Sequence, residues 1–167
     1  MGERGVRIGD CNLGRGLFAV MDIREDDLIL VLKGPRYERT DPIHETWEGA
    51  NLLQTGRRTY ILLREPGVFV NHSCDPNAGI RANRRLVAIR DIAAGEEIRF
   101  DYSTTMDEGY WTMDCRCGAA NCRGRVTDFR ELPDEVRSRY LALDIVQGFI
   151  ARRAQRFLDR KRFGTAA

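Results

Sequence analysis

The chain has 167 residues, 43% hydrophobic and 31% charged, which suits one globular domain with its own core and a short extension. A net charge of +2 excludes a surface built throughout for polyanions. No apolar run nears the roughly 20 residues that a membrane-spanning helix needs. Met1 to Gly5 lack the apolar core of a secretory signal, so an intracellular protein with no membrane partner is expected.

Residues 6 to 101 read mostly as short strands between turn signals. Gly16 to Met21 and Leu28 to Leu32 are β-rich apolar runs flanked by Gly and Asp. Arg36 to Gln54 is polar and irregular, with one helical piece expected around Ile43 to Leu53. Leu86 to Ile89 and Ile98 to Phe100 repeat the strand pattern, joined through the turn-like Ala94-Gly95. From Leu132 the character changes. Pro133, Asp134 and Glu135 make a good helix start. Val136, Tyr140, Leu143, Val146 or Gln147, and Ile150 then recur at helical spacing, which predicts a helix within 132–162. Its end is basic, with Arg152, Arg153, Arg156, Arg160, Lys161 and Arg162 against Asp159. Packing on the domain with a solvated basic end explains it; a dimer surface or a nucleic-acid contact is the alternative.

The five cysteines are Cys11, Cys74, Cys115, Cys117 and Cys122. An odd count without a secretion signal argues against a disulfide framework and for metal or thiol chemistry. Cys115-Arg-Cys117-Gly-Ala-Ala-Asn-Cys122 places three thiolates within reach of one ion. A tetrahedral zinc needs a fourth ligand, which Cys11, Cys74 or one of the two histidines, His44 and His72, could supply. Cys74 is the better candidate, in the tight turn Asn71-His-Ser-Cys-Asp-Pro76. Four thiolates fill the coordination sphere, so such a zinc is structural and activates no water. Arg116, Arg123 and Arg125 lie in or beside the run and are expected to offset its charge.

Together these segments resemble the SET-domain family of protein lysine methyltransferases. Gly14-Arg-Gly-Leu-Phe-Ala19 is similar to the family's first donor-binding segment, and Asn71-His-Ser-Cys-Asp-Pro-Asn77 to its most recognisable motif. Gly95-Glu-Glu-Ile-Arg-Phe-Asp-Tyr102 is similar to the segment that ends in the catalytic tyrosine. The cysteine run is similar to the post-SET zinc motif. The four matches occur in the family's order over about residues 6 to 126.

The resemblance implies a mostly β, β-clip-like fold of small sheets. It has a pseudoknot where the Asn71 and Tyr102 segments cross, a post-SET zinc segment and a C-terminal α-helix. The implied parts are a SET domain at 6–104, a zinc segment at 111–126 and a helical extension at 132–162. It implies S-adenosylmethionine as methyl donor, with Gly14, Arg15, Gly16 and Leu17 lining its site through the backbone. Asn71 and His72 are implied to hold the donor's amino-acid and adenine parts. Tyr102 is implied to be catalytic and to touch the donor. Tyr60 is a candidate channel tyrosine. Phe100, two residues before Tyr102, implies room for di- or trimethylation. Zinc would sit on Cys74, Cys115, Cys117 and Cys122. No aromatic follows the last cysteine in Arg123-Gly-Arg-Val126, so Phe129 or Trp111 is the candidate to cover the adenine.

The implied partner is a basic protein or peptide with a target lysine, such as a histone, histone-like or ribosomal protein, and oligomerisation through the C-terminal helix is open. Only Lys33 and Lys161 are lysine among the 27 basic residues. A GC-rich coding genome explains that bias and leans toward a bacterial source. The rival reading is a zinc-stabilised SET-fold interaction module without catalysis, which contacts nucleic acid through the basic helix.

Overall fold

Strands this short are unstable alone, and the chain solves the problem by pairing distant segments into four small sheets. The computed structural model describes residues 5–163, with side chains through residue 156. The strands are β1 (Val6–Cys11), β2 (Gly14–Ala19), β3 (Leu28–Val31), β4 (Arg36–Glu38), β5 (Leu52–Gln54) and β6 (Thr59–Leu62). They continue as β7 (Asn71–His72), β8 (Ala78–Arg81), β9 (Arg85–Ala88), β10 (Glu97–Phe100), β11 (Met113–Asp114) and β12 (Arg125–Val126). Two helices follow, α1 (Asp134–Ala142) and α2 (Gly148–Phe163). The sheet orders are β1-β2-β10-β7, β3-β9-β8, β4-β6-β5 and β11-β12.

Every pair is antiparallel except one. β7 runs parallel to β10, with Asn71 beside Arg99 and His72 beside Phe100. That pair carries the expected crossing of the Asn71 and Tyr102 segments. Ser73 extends it by donating its N–H to the Phe100 carbonyl at 3.1 Å. Asn77, buried, then acts in place of a further strand. Its amide nitrogen donates to the Glu97 carbonyl and the Glu96 carboxylate, both at 2.8 Å, and its oxygen accepts from the Arg99 N–H at 2.8 Å. The mostly β fold of small sheets with a crossing is therefore the one observed.

The main core forms where the apolar faces of three sheets meet, around Leu17, Leu30, Leu53, Ile80, Leu86, Ile98 and Phe100. In β3 the register shifts between Leu28 and Leu30, which lets the neighbours Ile29 and Leu30 both be buried. The helical piece expected near Ile43 to Leu53 is instead two 3-10 turns, Pro42–Glu45 and Trp47–Asn51.

The single C-terminal helix expected at 132–162 is corrected to two. The break has three causes. Asp144 adopts a left-handed conformation (φ 53°), which Asp tolerates better than most residues. The Arg81 guanidinium caps the Leu143 carbonyl with bonds of 3.1 and 3.2 Å. Gln147 donates its N–H to the Thr104 carbonyl at 3.0 Å rather than within a helix. The break lets Ile145, Val146, Phe149 and Ile150 fold onto Phe129, Leu132 and Tyr140 as a second core. The side chains of Arg160, Lys161 and Arg162, part of the expected basic end, lie outside the described residues.

Ile145 sits on β8 at Gly79, where an added Cβ would lie 2.4 Å from Ile145 Cγ2. Gly79→Ala is therefore expected to lower the unfolding free energy by roughly 1–3 kcal/mol through overpacking. Urea unfolding checks this; an unchanged midpoint would show that Ile145 moves aside freely.

Candidate active site

Tyr102 follows directly from the end of β10. Asp101 caps the 3-10 turn Tyr102–Thr104 by accepting from the Ser103 N–H at 3.0 Å, and this fixes the tyrosine's backbone. The Tyr102 hydroxyl donates to the Val70 carbonyl at 2.9 Å, and its ring lies 4.8 Å from Phe100 and 5.3 Å from His72. Burial, reinforced by Glu97, pushes its pKa well above the ordinary phenol value, so it remains a protonated hydrogen-bond donor.

Phe100, Tyr102 and Tyr60 come together in the lining of a cavity of about 470 Å³, with Val70, Trp111 and Met113. Tyr60 arrives on β6, and Trp111 and Met113 arrive with the cysteine segment. The Tyr60 hydroxyl is buried beside Glu108 without a well-formed hydrogen bond, and burial followed by Glu108 raises its pKa strongly. Such a cavity disfavours an ammonium by desolvation, while Glu108 gives its wall one carboxylate.

The Gly14–Leu17 segment lies in β2 beside this site, and its four residues play different parts. Gly16 and Leu17 are buried in the sheet, whereas Gly14 and Arg15 are exposed. A Cβ at Gly16 would lie 2.5 Å from Glu97 Oε1 and 3.2 Å from Asn71 Nδ2, so glycine is needed for close packing here. The Asn71 amide nitrogen donates to the Arg15 carbonyl at 3.0 Å and to Glu97 at 2.8 Å, with Cys11 Sγ at 3.5 Å. The carbonyl and the carboxylate can only accept, which fixes the amide's orientation and leaves its oxygen unengaged among the described residues.

His72 turns its ring away from β2. Nδ1 accepts from the Tyr102 N–H at 3.2 Å, so Nε2 carries the proton and faces Cys74 Sγ at 3.4 Å. Burial lowers its pKa to about 4, so the ring is neutral near pH 7. Only the His72 backbone is therefore available to a bound methyl donor. Of the two aromatics considered for the adenine, Phe129 is sealed in the helical core, while Trp111 stays half-buried at the cavity.

The crossing carries Cys74 to the cysteine run. Cys74 and Cys115 sulfurs lie 3.7 Å apart, and Cys115 and Cys122 sulfurs 3.6 Å apart. The Cys117 thiol lies beside those of Cys115 and Cys122. The edge of a tetrahedron with zinc–sulfur bonds of ~2.3 Å is about 3.8 Å, so these spacings fit zinc. Burial pushes the Cys74 thiol up to about 11 and the Cys115 thiol higher still. Cys117 is opposite: burial raises it, but N–H groups of Cys74 and Ala119 outweigh that and bring it to about 6. Holding four thiolates so close calls for a cation. The ligand atoms that lie mutually within 4.8 Å are those of His72, Cys74, Cys115 and Cys117, with Cys122 Sγ joined to them through Cys115; the proton on His72 Nε2 favours Cys122 over His72 as a ligand. Cys11 stands apart, beside Asn71.

Of the three arginines expected to balance the sulfurs, only Arg123 is turned inward, and its guanidinium goes to Asp101 while its N–H serves Cys74 Sγ at 3.4 Å. Arg125 faces Asp114 at 3.8 Å and Arg116 is exposed. Asp101 was missed in the sequence reading, although it stands directly before Tyr102. It accepts from Arg123 at 2.8 Å and from the Tyr140 hydroxyl of α1 at 3.0 Å.

A family model of the SET domain matches residues 14–103. The chain belongs to the SET-domain family. Among curated SET relatives, it is 32% identical over 129 residues to a Saccharomyces cerevisiae histone-lysine N-methyltransferase, H3 lysine-4 specific. That match covers 65% of this chain and 12% of the relative, so the chain spans about an eighth of that protein. It is 25% identical to human histone-lysine N-methyltransferase 2D, over 66% of this chain and 2% of that one. Methyltransferase flvH of Aspergillus flavus is 31% identical, covering 53% of this chain and 51% of the other. A structure of a humanized mutant of the Chaetomium thermophilum Polycomb Repressive Complex 2 shares the fold at a TM-score of 0.54 and 22% identity. It covers 65% of this chain and 16% of that one. These relatives are from fungi and animals, and the leaning toward a bacterial source finds no support in them. No helix among the described residues is long and apolar enough to cross a membrane.

The sulfur geometry makes the SET domain's metal testable. Purified protein is expected to carry about one zinc per chain by elemental analysis. Cys122→Ser should weaken zinc retention against a chelator by about tenfold or more, while His72→Gln should leave it within a few-fold. The reverse order would make His72 the ligand.

Proposed function

We propose that this chain methylates the ε-amine of a protein lysine with S-adenosylmethionine as methyl donor, and that the cysteine-bound zinc is structural. The observation that carries the reading is the aromatic cavity beside the Tyr102 hydroxyl and the Val70 carbonyl, next to the Gly14–Leu17 strand. The printed names of the relatives, histone-lysine N-methyltransferases, support lysine as the acceptor and a histone or other basic protein as its bearer.

Bound S-adenosylmethionine supplies a methyl group on a sulfonium, and such chemistry needs a neutral, well-aligned amine more than it needs strong acid–base catalysis. The backbone of Gly14 and Arg15, the free Asn71 oxygen and the His72 backbone would hold the methyl donor. That free oxygen is a fitting acceptor for an ammonium. The walls of Tyr60, Phe100 and Trp111 lower the stability of a lysine ammonium, whose ordinary pKa is ~10.4. Tyr102, held protonated, orients the acceptor rather than taking its proton. Phe100 leaves space that a tyrosine hydroxyl would fill, so di- and trimethyl products are accessible.

Labelled methyl donor with a panel of histones and other basic proteins tests the reading. Tyr102→Phe is expected to lower transfer about 100-fold, since one positioned hydroxyl is lost from the site. Transfer at the unmodified rate would remove Tyr102 from the catalytic role. Phe100→Tyr is expected to shift products toward monomethyl-lysine by mass spectrometry; an unchanged distribution would break that assignment.

A further inference from the structure

Glu108 belongs to two cavities. On one side it faces the aromatic cavity; on the other it borders an open cleft of about 750 Å³ lined by Arg39, Arg57, Arg58, Arg130 and Arg153. The carboxylates of this cleft are already engaged. Asp107 pairs with Arg153 at 2.7 Å. Asp128, buried behind it, holds Arg130 at 3.1 Å and accepts the N–H groups of Glu108 and Gly109 at 3.1 and 2.7 Å. Glu108 bears on the Tyr60 and Tyr110 hydroxyls. Arg39, Arg57 and Arg58 have no carboxylate within ion-pair distance among the described residues. Arg39 lies over the Tyr110 ring at 5.7 Å.

These three arginines are brought together by the fold. The Arg39 N–H donates to the Arg58 carbonyl at 2.9 Å, at the ends of β4 and β6. A planar guanidinium offers a fork of donors that suits carboxylate and phosphate oxygens. Arg58 precedes Tyr60 by two residues, which is about 7 Å along an extended chain. A substrate lying extended across both cavities would cover that distance in two or three residues.

We propose that this cleft takes an anionic side chain of the protein substrate, a carboxylate or a phosphate, two or three residues from the target lysine. The inference rests on the lysine-methylation reading and narrows its substrate class to lysines with a near acidic or phosphorylated neighbour. A nucleic-acid backbone fits less well, because Asp107 and Glu108 share the cleft and would repel a run of phosphates. A single anionic side chain needs only one or two of the guanidiniums.

The test uses the zinc-loaded full chain and peptides with one lysine in Gly/Ser flanks, either neutral or carrying one glutamate or phosphoserine one to four residues away on either side. Binding is read by fluorescence anisotropy and transfer by labelled methyl donor. An anionic group two or three residues from lysine is expected to tighten binding about tenfold. The double variant Arg57→Ala, Arg58→Ala should bring that affinity to the neutral-peptide value and leave transfer to the neutral peptide unchanged. A larger gain with phosphoserine names phosphate as the ligand, and a larger gain with glutamate names carboxylate. Equal binding of neutral and anionic peptides, or a preference that survives the double variant, overturns the proposal. So does salt-sensitive binding of duplex DNA that the double variant abolishes while no peptide preference exists. Anionic preference without transfer to any peptide supports the cleft and counts against methyl transfer, so the two failures are distinct.

Discussion

A carboxylate with 1% exposure is tolerable only when its charge and lone pairs are engaged, and Asp101 meets that condition by drawing on three parts of the chain. The Ser103 N–H comes from its own turn, Arg123 from the cysteine segment and the Tyr140 hydroxyl from α1. Each donor stabilises the charge that the others also need, so displacing one weakens the hold on the rest. Tyr102 is the next residue, and its orientation inherits this arrangement. The C-terminal helices, which among the described residues contribute no side chain to the aromatic cavity, are joined to the site through Tyr140.

The cysteine segment has the same double character. It gathers Cys115, Cys117 and Cys122 against Cys74, and it brings Trp111 and Met113 to the wall of the cavity. The Arg99 guanidinium of β10 donates to the Cys117 carbonyl at 3.0 Å, and Asn121 donates to the Cys74 carbonyl at 3.3 Å. His72 extends the contact inward, with one nitrogen toward Cys74 and the other under the Tyr102 N–H. The sulfur cluster is thus two hydrogen bonds from the backbone of Tyr102. A neutral imidazole suits this place because it donates on one side and accepts on the other.

Much of this was legible in the residues because four short motifs each carry their own chemistry. The cysteine spacing pointed to a metal, and the order of the motifs pointed to the fold. The strands β2, β3, β9 and β10 were near where apolar runs placed them, since local alternation is enough to find them. The parallel β7–β10 pair, the clamp of Asn77 and the contact of Asp101 with Tyr140 join residues up to 39 positions apart, and no local pattern encodes such contacts. The helix break was hidden for another reason: Val136 to Ile150 keep helical spacing, and the left-handed turn at Asp144 is fixed by Arg81 and Thr104, from elsewhere in the chain. The side-chain direction of His72 was equally unreadable, because the motif fixes its position and not its rotamer.

The bond between Tyr140 and Asp101 also bears on how the chain comes to life. A polypeptide leaves the ribosome from its N-terminus, so β2, β7 and β10 emerge well before α1. Until α1 follows, Asp101 lacks one of its donors, and the floor beneath Tyr102 stays unfinished. The same holds for Trp111 and Met113, which arrive after β10 and close the cavity wall. Assembly of the site is therefore a late event in synthesis, and a shortened product ending near residue 104 would hold three of the four recognisable motifs without a finished pocket.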